Sequence, residues 1–376
     1  MAANHDHLVS SGGGENHDQP ASASNLEGLP QGFPCSLQPD PVQWNEHVIE
    51  LDQFGDWKLI VLNAQGFHAG NVVILKRRKD LVVIDSGCSG NYKKIIKKIA
   101  KREDPPFFLI NTHAHPDHTG ANLQMVEEGA IVMAHQNARI HMVGYGLPGE
   151  RGLPVVTFGR RMSIYPGNQR VNLISLPAGH TDGDLAVRIP ELNILHAGDV
   201  FMNGHYPLID SDSGGKILGL IKSVRRMIRM SNSDTVVIPG HGDLANRRRL
   251  VQYRNMLSDV TEDVRELKGL GYSLEDVHAR HLTRRYDQEW GQGLISGPQF
   301  VRFVYNTLPN YNNIFASHSA AEKRSVHSDG VVSGDPGCKK RTRDRDFESF
   351  SLVTVSYTHL RAHETGRNLV CRLLLE

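Results

Sequence analysis

No apolar run reaches the roughly 18 residues that an ordinary membrane-spanning helix needs, so no membrane span is expected. Basic residues are absent from residues 1–57, which hold nine acidic ones. Neither the positive start of a secretory signal nor the scattered arginines of a transit peptide is therefore present, and no apolar segment follows them. The default expectation is a soluble, cytoplasmic protein. Cysteine is scarce: Cys35, Cys88, Cys338 and Cys371 show no metal-site or disulfide spacing, so a reducing compartment is adequate. Cys88 reads as a small buried thiol. The formal net charge is only +1, and no aromatic stripe interleaves the lysines of residues 93–102, which disfavours a nucleic-acid partner.

Histidine, in contrast, is abundant, with 20 in 376 residues. Six consecutive residues concentrate the chemistry: His113-Ala114-His115-Pro116-Asp117-His118. A strand directs alternate side chains to one face, so His113 and His115 can share one metal, while Asp117 and His118 fall in the turn beyond, placed for a second. The preceding Phe107-Phe108-Leu109-Ile110 is a strand-type run, which puts these ligands on a loop at a strand's carboxyl end. Three later segments offer more ligands after apolar stretches: His180 in Gly179-His180-Thr181-Asp182-Gly183-Asp184, Asp199 in Leu195-His196-Ala197-Gly198-Asp199, and His241 in Pro239-Gly240-His241-Gly242. Together and in this order they form a strong pattern.

Strand and helix signals alternate as an α/β fold requires. Residues 71–75 and 81–84 read as a hairpin around the charged turn at 76–80, and residues 92–102 as a helix with Ile95, Ile96 and Ile99 on one face. Residues 184–189 and 193–196 read as a second hairpin around Pro190, followed by a helical stripe from Ile217 to Ile228. Hairpin, aspartate turn and helix thus occur twice, which suggests an internal duplication. A further stripe runs from Leu250 to Leu267, Ser273 with Asp276 resembles a capping box, and Pro298 opens a last helix. Arg247, Arg248 and Arg249 read as a solvated face that could instead meet an anionic substrate.

The expected organisation is a disordered extension over 1–44, one catalytic domain over 45–308 and a disordered tail over 309–376. The last 20 or so residues of that tail look like a translated sequencing adapter, so His359 and His363 are not read as a metal site.

On these residues the chain resembles the metallo-β-lactamase superfamily, whose pattern is a strand ending in Asp, then HxHxDH, then His, Asp and His. The resemblance covers about residues 45 to 308 and implies a four-layer αββα sandwich. It implies that His113, His115 and His180 hold one zinc and Asp117, His118 and His241 a second, with Asp199 bridging; iron or manganese are other occupants of such sites. Asp85, in Val83-Ile84-Asp85-Ser86-Gly87, would orient a ligand rather than bind metal. The implied activity is hydrolysis of a small molecule: a metal-bridging hydroxide, oriented by Asp117 and Asp199, attacks the carbonyl of a thioester, lactone or other ester or amide.

Within this superfamily Asp199 stands where dizinc β-lactamases usually carry Cys or Ser, which points away from a dedicated β-lactamase. Asp184 stands where glyoxalase II commonly has a second histidine. β-Lactam hydrolysis, phosphodiester cleavage by a nuclease relative and iron-dependent persulfide dioxygenation are the alternatives; the last uses fewer ligands than are present. Asn203, His205 and Tyr206, close after Asp199, are candidates to line the substrate pocket.

Overall fold

The computed structural model describes residues 44–51, 56–64, 69–99, 106–146 and 148–309. The first sheet has seven strands that follow chain order: β1 (Trp44–Leu51), β2 (Trp57–Ala64), β3 (Val72–Arg77), β4 (Asp80–Ile84), β5 (Phe107–Ile110), β6 (Ala130–His135) and β7 (Val156–Phe158). Strands β1 to β4 form an antiparallel meander, and β4 to β7 run parallel. Parallel neighbours need crossovers. These are α1 (Tyr92–Ile99) between β4 and β5, then α2 (Pro116–Thr119) with α3 (Asn122–Glu127), then α4 (Gln136–Tyr145).

The second sheet contains β8 (Arg161–Ile164), β9 (Val171–Ser175), β10 (Leu185–Ile189), β11 (Ile194–His196) and β12 (Val236–Ile238), in the spatial order β12-β11-β10-β9-β8. Its first four strands pair antiparallel, whereas β12 joins β11 in parallel through the crossover helix α5 (Ile217–Arg229). Four more helices follow: α6 (Arg247–Gly269), α7 (Leu274–His278), α8 (Asp287–Trp290) and α9 (Gly297–Thr307).

Alternation along β2 and β3 explains the layers. Leu59, Val61, Val73 and Leu75 point between the sheets, where they meet Leu173, Val187, Ile194 and Ile238. Their neighbours Ile60, Leu62, Val72 and Ile74 point the other way, onto Ile95 and Ile99 of α1 and Met125 of α3. Both faces are covered, so these strands read as continuous apolar runs. On the far side, Ala186, Leu195 and Val237 pack under Leu220, Val224 and Met227 of α5, Tyr253, Leu257 and Val260 of α6, and Phe300 of α9. The result is the αββα sandwich that the resemblance implied.

Both expected hairpins are present, and the first is tighter than the sequence suggests. Lys76 pairs with Leu81 and Arg77 with Asp80, which shrinks the turn to Arg78 and Lys79, with Arg78 at a φ of +50°. The order hairpin, crossover helix, parallel strand occurs twice, as β3-β4-α1-β5 and β10-β11-α5-β12. Cys88 is buried as expected but disulfide-bonded, which corrects the free thiol. The other cysteines, the expectations for 1–43 and 310–376, and His359 and His363 lie outside the described residues. Among the described residues no helix is long and apolar enough to cross a membrane.

Candidate metal centre

Strand ends supply every predicted ligand. The loop after β5 carries His113 and His115, and helix α2, which follows it directly, carries Asp117 and His118; the β9–β10 loop carries His180; the turns after β11 and β12 carry Asp199 and His241. All seven are buried, none above 3% exposure. Their ligand atoms form two groups, each within 4.8 Å: His113, His115, His180 and Asp199, and Asp117, His118, His241 and Asp199. Asp199 belongs to both. Its Oδ2 lies 3.8, 3.6 and 3.4 Å from Nε2 of His113, His180 and His241, and its Oδ1 lies 3.1 Å from His118 Nε2. Asp117 Oδ2 lies 3.1 Å from His241 Nε2.

Hydrogen bonds behind the imidazoles fix which nitrogen faces inward. His118 Nδ1 meets Asp85 Oδ2 at 2.8 Å, His115 Nε2 meets Asp210 Oδ2 at 2.9 Å, and His180 Nδ1 meets the Leu208 carbonyl at 2.8 Å. Each ring donates outward through that nitrogen, which leaves its other nitrogen facing the cluster. Thr112 completes the set: its hydroxyl donates to Asp85 at 2.8 Å, so it accepts from His113 Nδ1 at 3.1 Å.

The consequence is a crowding of inward-facing nitrogens. His115 Nδ1 and His180 Nε2 stand 2.8 Å apart, and Nε2 of His118 and His241 3.4 Å apart. Buried beside them, His113 Nε2, Asp117 Oδ1 and Asp199 Oδ1 have no hydrogen-bond partner among the described residues. Crowded nitrogens and orphaned acceptors in a dry cluster are costly unless a cation sits among them, so the donor set fits divalent metal. Nitrogen with carboxylate oxygen suits zinc, iron or manganese.

Charge follows the same logic. Burial disfavours a charged His118, yet Asp199, Asp117 and Asp85 together raise it well above its ordinary value. His241 is likewise raised to about 9, because Asp199 and Asp117 outweigh burial. Burial and the neighbouring His118 hold His113 well below its ordinary value, and burial with His115 lowers His180 to about 4. Burial acts against charge on Asp117 and Asp199, but the imidazoles beside them keep both well below the ordinary carboxylate range.

Backbone geometry supports these positions. Asp85 adopts a φ of +59°, unusual for a residue with a side chain, and accepts from Thr112 N at 2.7 Å. Gly240 is required by close approach: a Cβ there would run into the Asp199 carboxylate. Asp184 caps the His180 loop, accepting from His180 N at 2.8 Å and from the Thr181 hydroxyl at 2.7 Å. His196 Nδ1 accepts from Gly198 N at 3.1 Å and steadies the turn that carries Asp199.

The proposed pocket residues divide. Tyr206 is fully buried, stacked on Phe300 with its hydroxyl donating to Asp287 at 2.9 Å, and is a core residue rather than a pocket wall. Asn203 is engaged by the Asp243 carbonyl and by Arg249 Nε at 2.7 Å, so it anchors its loop. His205 is half-buried and pairs with Gly291 through the backbone; burial and His241 lower it to about 4, so its ring is neutral at ordinary pH. Arg249, named for an anionic substrate, instead binds Glu289 and Asn203 and lies over the Trp290 ring. Asp210 escaped sequence reasoning altogether, since a lone aspartate in Leu208-Ile209-Asp210-Ser211 carries no motif.

Comparison with known proteins gives what the chain is similar to. The sequence profile of the family described as "Metallo-beta-lactamase superfamily" matches residues 65–241. A hydroxyacylglutathione hydrolase, GloC, of Haemophilus influenzae is 25% identical over 48% of this chain and 89% of its own. A type 2 metallo-beta-lactamase of Bacillus cereus is 25% identical over 56% of this chain and 87% of its own. In structure, the sec-alkylsulfatase Pisa1 from Pseudomonas sp. superposes with a TM-score of 0.55 at 15% identity, over 73% of this chain and 53% of that one, a likeness of fold.

Proposed function

We propose, from the premise that residues 65–241 are a metallo-β-lactamase superfamily domain, that the chain is a metal-dependent hydrolase holding two zinc ions and cleaving a carbonyl ester, thioester, lactone or amide of a small molecule. The observation that carries this reading is the convergence of His115, His118 and His180, each held by an outward hydrogen bond so that its other nitrogen faces the cluster. His113, His115 and His180 would hold one ion, Asp117, His118 and His241 the other, with Asp199 shared. When bound, such ions lower the pKa of a coordinated water to about 7 and polarise a carbonyl oxygen.

The chain's own groups do the rest. Asp117 Oδ1, buried and free of hydrogen bonds among the described residues, is placed to orient the attacking water and accept its proton. Asp199 balances charge between the two groups, and Asp85 and Thr112 hold His118 and His113 so that little reorganises during reaction. His205, neutral beside His241, is the pocket residue best placed to meet a substrate oxygen. Asp199, where dedicated β-lactamases carry Cys or Ser, favours esters and thioesters over β-lactams.

Elemental analysis of the full-length protein, with a hydrolysis panel of thioesters, lactones, esters, β-lactams and phosphodiesters, tests the proposal. Two metals per chain and hydrolysis of carbonyl substrates, lost by at least roughly 100-fold in His115→Ala, are expected. Fewer than two metals at saturation with no hydrolysis on reconstitution would overturn it, as would a fully active His115→Ala.

A further inference from the structure

Helix α4 contributes no ligand; it buries Ala138 and Met142, and a half-buried polar stripe runs beside them. Asn137, His141 and Tyr145 recur four residues apart and so share one stripe. Asn137 Nδ2 donates to the Asp182 carbonyl at 3.4 Å, and His141 Nε2 meets Asp182 Oδ1 at 2.8 Å. The Tyr145 hydroxyl donates to Asp210 Oδ2 at 3.2 Å and meets Ser213 Oγ at 2.6 Å. One phenol has one proton, so Ser213 donates to Tyr145 and Tyr145 to Asp210.

Both loops held by this stripe serve His180 and His115. Asp182 follows His180 by two residues, and Asp182 N donates to the Ser213 carbonyl at 2.9 Å, which ties the loops together. Leu208 and Asp210, on the second loop, accept from His180 and His115. Asp210 is also saturated: Oδ2 takes His115 and Tyr145, while Oδ1 takes the backbone N–H of Asp212 and Ser213, each at 3.1 Å. The group containing Asp117 has a carboxylate of its own, whereas His113, His115 and His180 share only Asp199. Asp210 is the anion standing behind His115.

We propose that Tyr145 is a positioning residue that, through Asp210, fixes the tautomer and tilt of His115 and so sets how tightly the ion of His113, His115 and His180 is held. Without the phenol, Asp210 keeps its charge but loses the donor that aligns Oδ2 with the His115 ring. The inference rests on reading those three histidines as ligands of one ion.

Stepwise zinc constants of the full-length apo-protein, measured against a chromophoric chelator, test it, with urea unfolding of each apo variant as the control for folding. Asp210→Asn is expected to weaken one of the two constants by roughly 10- to 100-fold, and Tyr145→Phe to weaken the same one by roughly 3- to 10-fold, the other staying within about twofold. If Tyr145→Phe does not fold, Ser213→Ala is measured in its place, with the same constant expected to fall. Both constants unchanged, or both weakened equally, in a folded variant overturns the inference. A wild-type protein that takes up fewer than two ions overturns instead the metal reading beneath it, and the inference with it.

Discussion

Protons and cations compete for the same atoms in this cluster. His118 and His241 are both raised by the carboxylates they face, His241 to about 9, so without metal each carries a proton at neutral pH. A ligand must be deprotonated, so metal entry expels those protons, about two per chain at pH 7. The sign is fixed: apparent affinity rises with pH as His118 and His241 give up their protons and falls as the medium becomes more acid. Calorimetric zinc titrations in buffers of different ionisation enthalpy measure this release directly; a value near zero at pH 7 would remove the charge assignment made for His118 and His241. Much of this site was legible beforehand, because His113 to His118, His180, Asp199 and His241 each follow an apolar run and carry ligand chemistry. Asp210 and Thr112 were not: their role depends on what lies across the fold, and neither residue type advertises it.

Elements were legible where burial is one-sided and hidden where it is not. Helices α1 and α5 have lysine and arginine opposite isoleucine and leucine, and their periodicity shows. Helix α4 buries Ala138 and Met142 with Asn137, His141 and Tyr145 half-buried beside them, while Ile140 and Val143 face solvent at 65% and 56% exposure, so its apolar stripe is blurred and no helix is read there. Capping chemistry was the other local signal. The box at Ser273 and Asp276 is present, and a second joins Ser296 to Gln299 at the start of α9. Helix α9 buries Phe300, Val301 and Val304 against the second sheet's outer core, away from the metal ligands. Ser296→Ala therefore costs about 1 kcal/mol of stability, a loss of one capped N–H, with unchanged turnover. Urea unfolding followed by circular dichroism reads the first quantity, and a shift below roughly 0.3 kcal/mol would mean that packing alone fixes this helix start.

Two topologically equivalent halves meet along one edge, and the centre needs both. The half built on β3, β4 and β5 gives His113, His115, Asp117 and His118, while the half built on β10, β11 and β12 gives His180, Asp199 and His241. A stray displacement between sheets would pull the groups apart, so the fastening across that edge matters. Asn71, fully buried at the head of β3, supplies it: its side chain donates to the carbonyls of Pro239 and Gly242 at 2.9 and 3.0 Å, and its N–H to Gly240 at 2.7 Å. Those residues flank His241. Asn63 also reaches Gly242, so Asn71→Ala orphans the Pro239 carbonyl more than the Gly242 one. Loss of that donor costs roughly 1–3 kcal/mol in urea unfolding of the apo-protein. It is also expected to loosen the ion proposed for Asp117, His118 and His241 in preference to the other, the reverse of what is proposed for Tyr145→Phe. Stepwise zinc constants for the two variants, side by side, should move in opposite members of the pair. If both variants depress the same constant, the two groups are one mechanical unit and the division of the centre between the sheets has no energetic meaning.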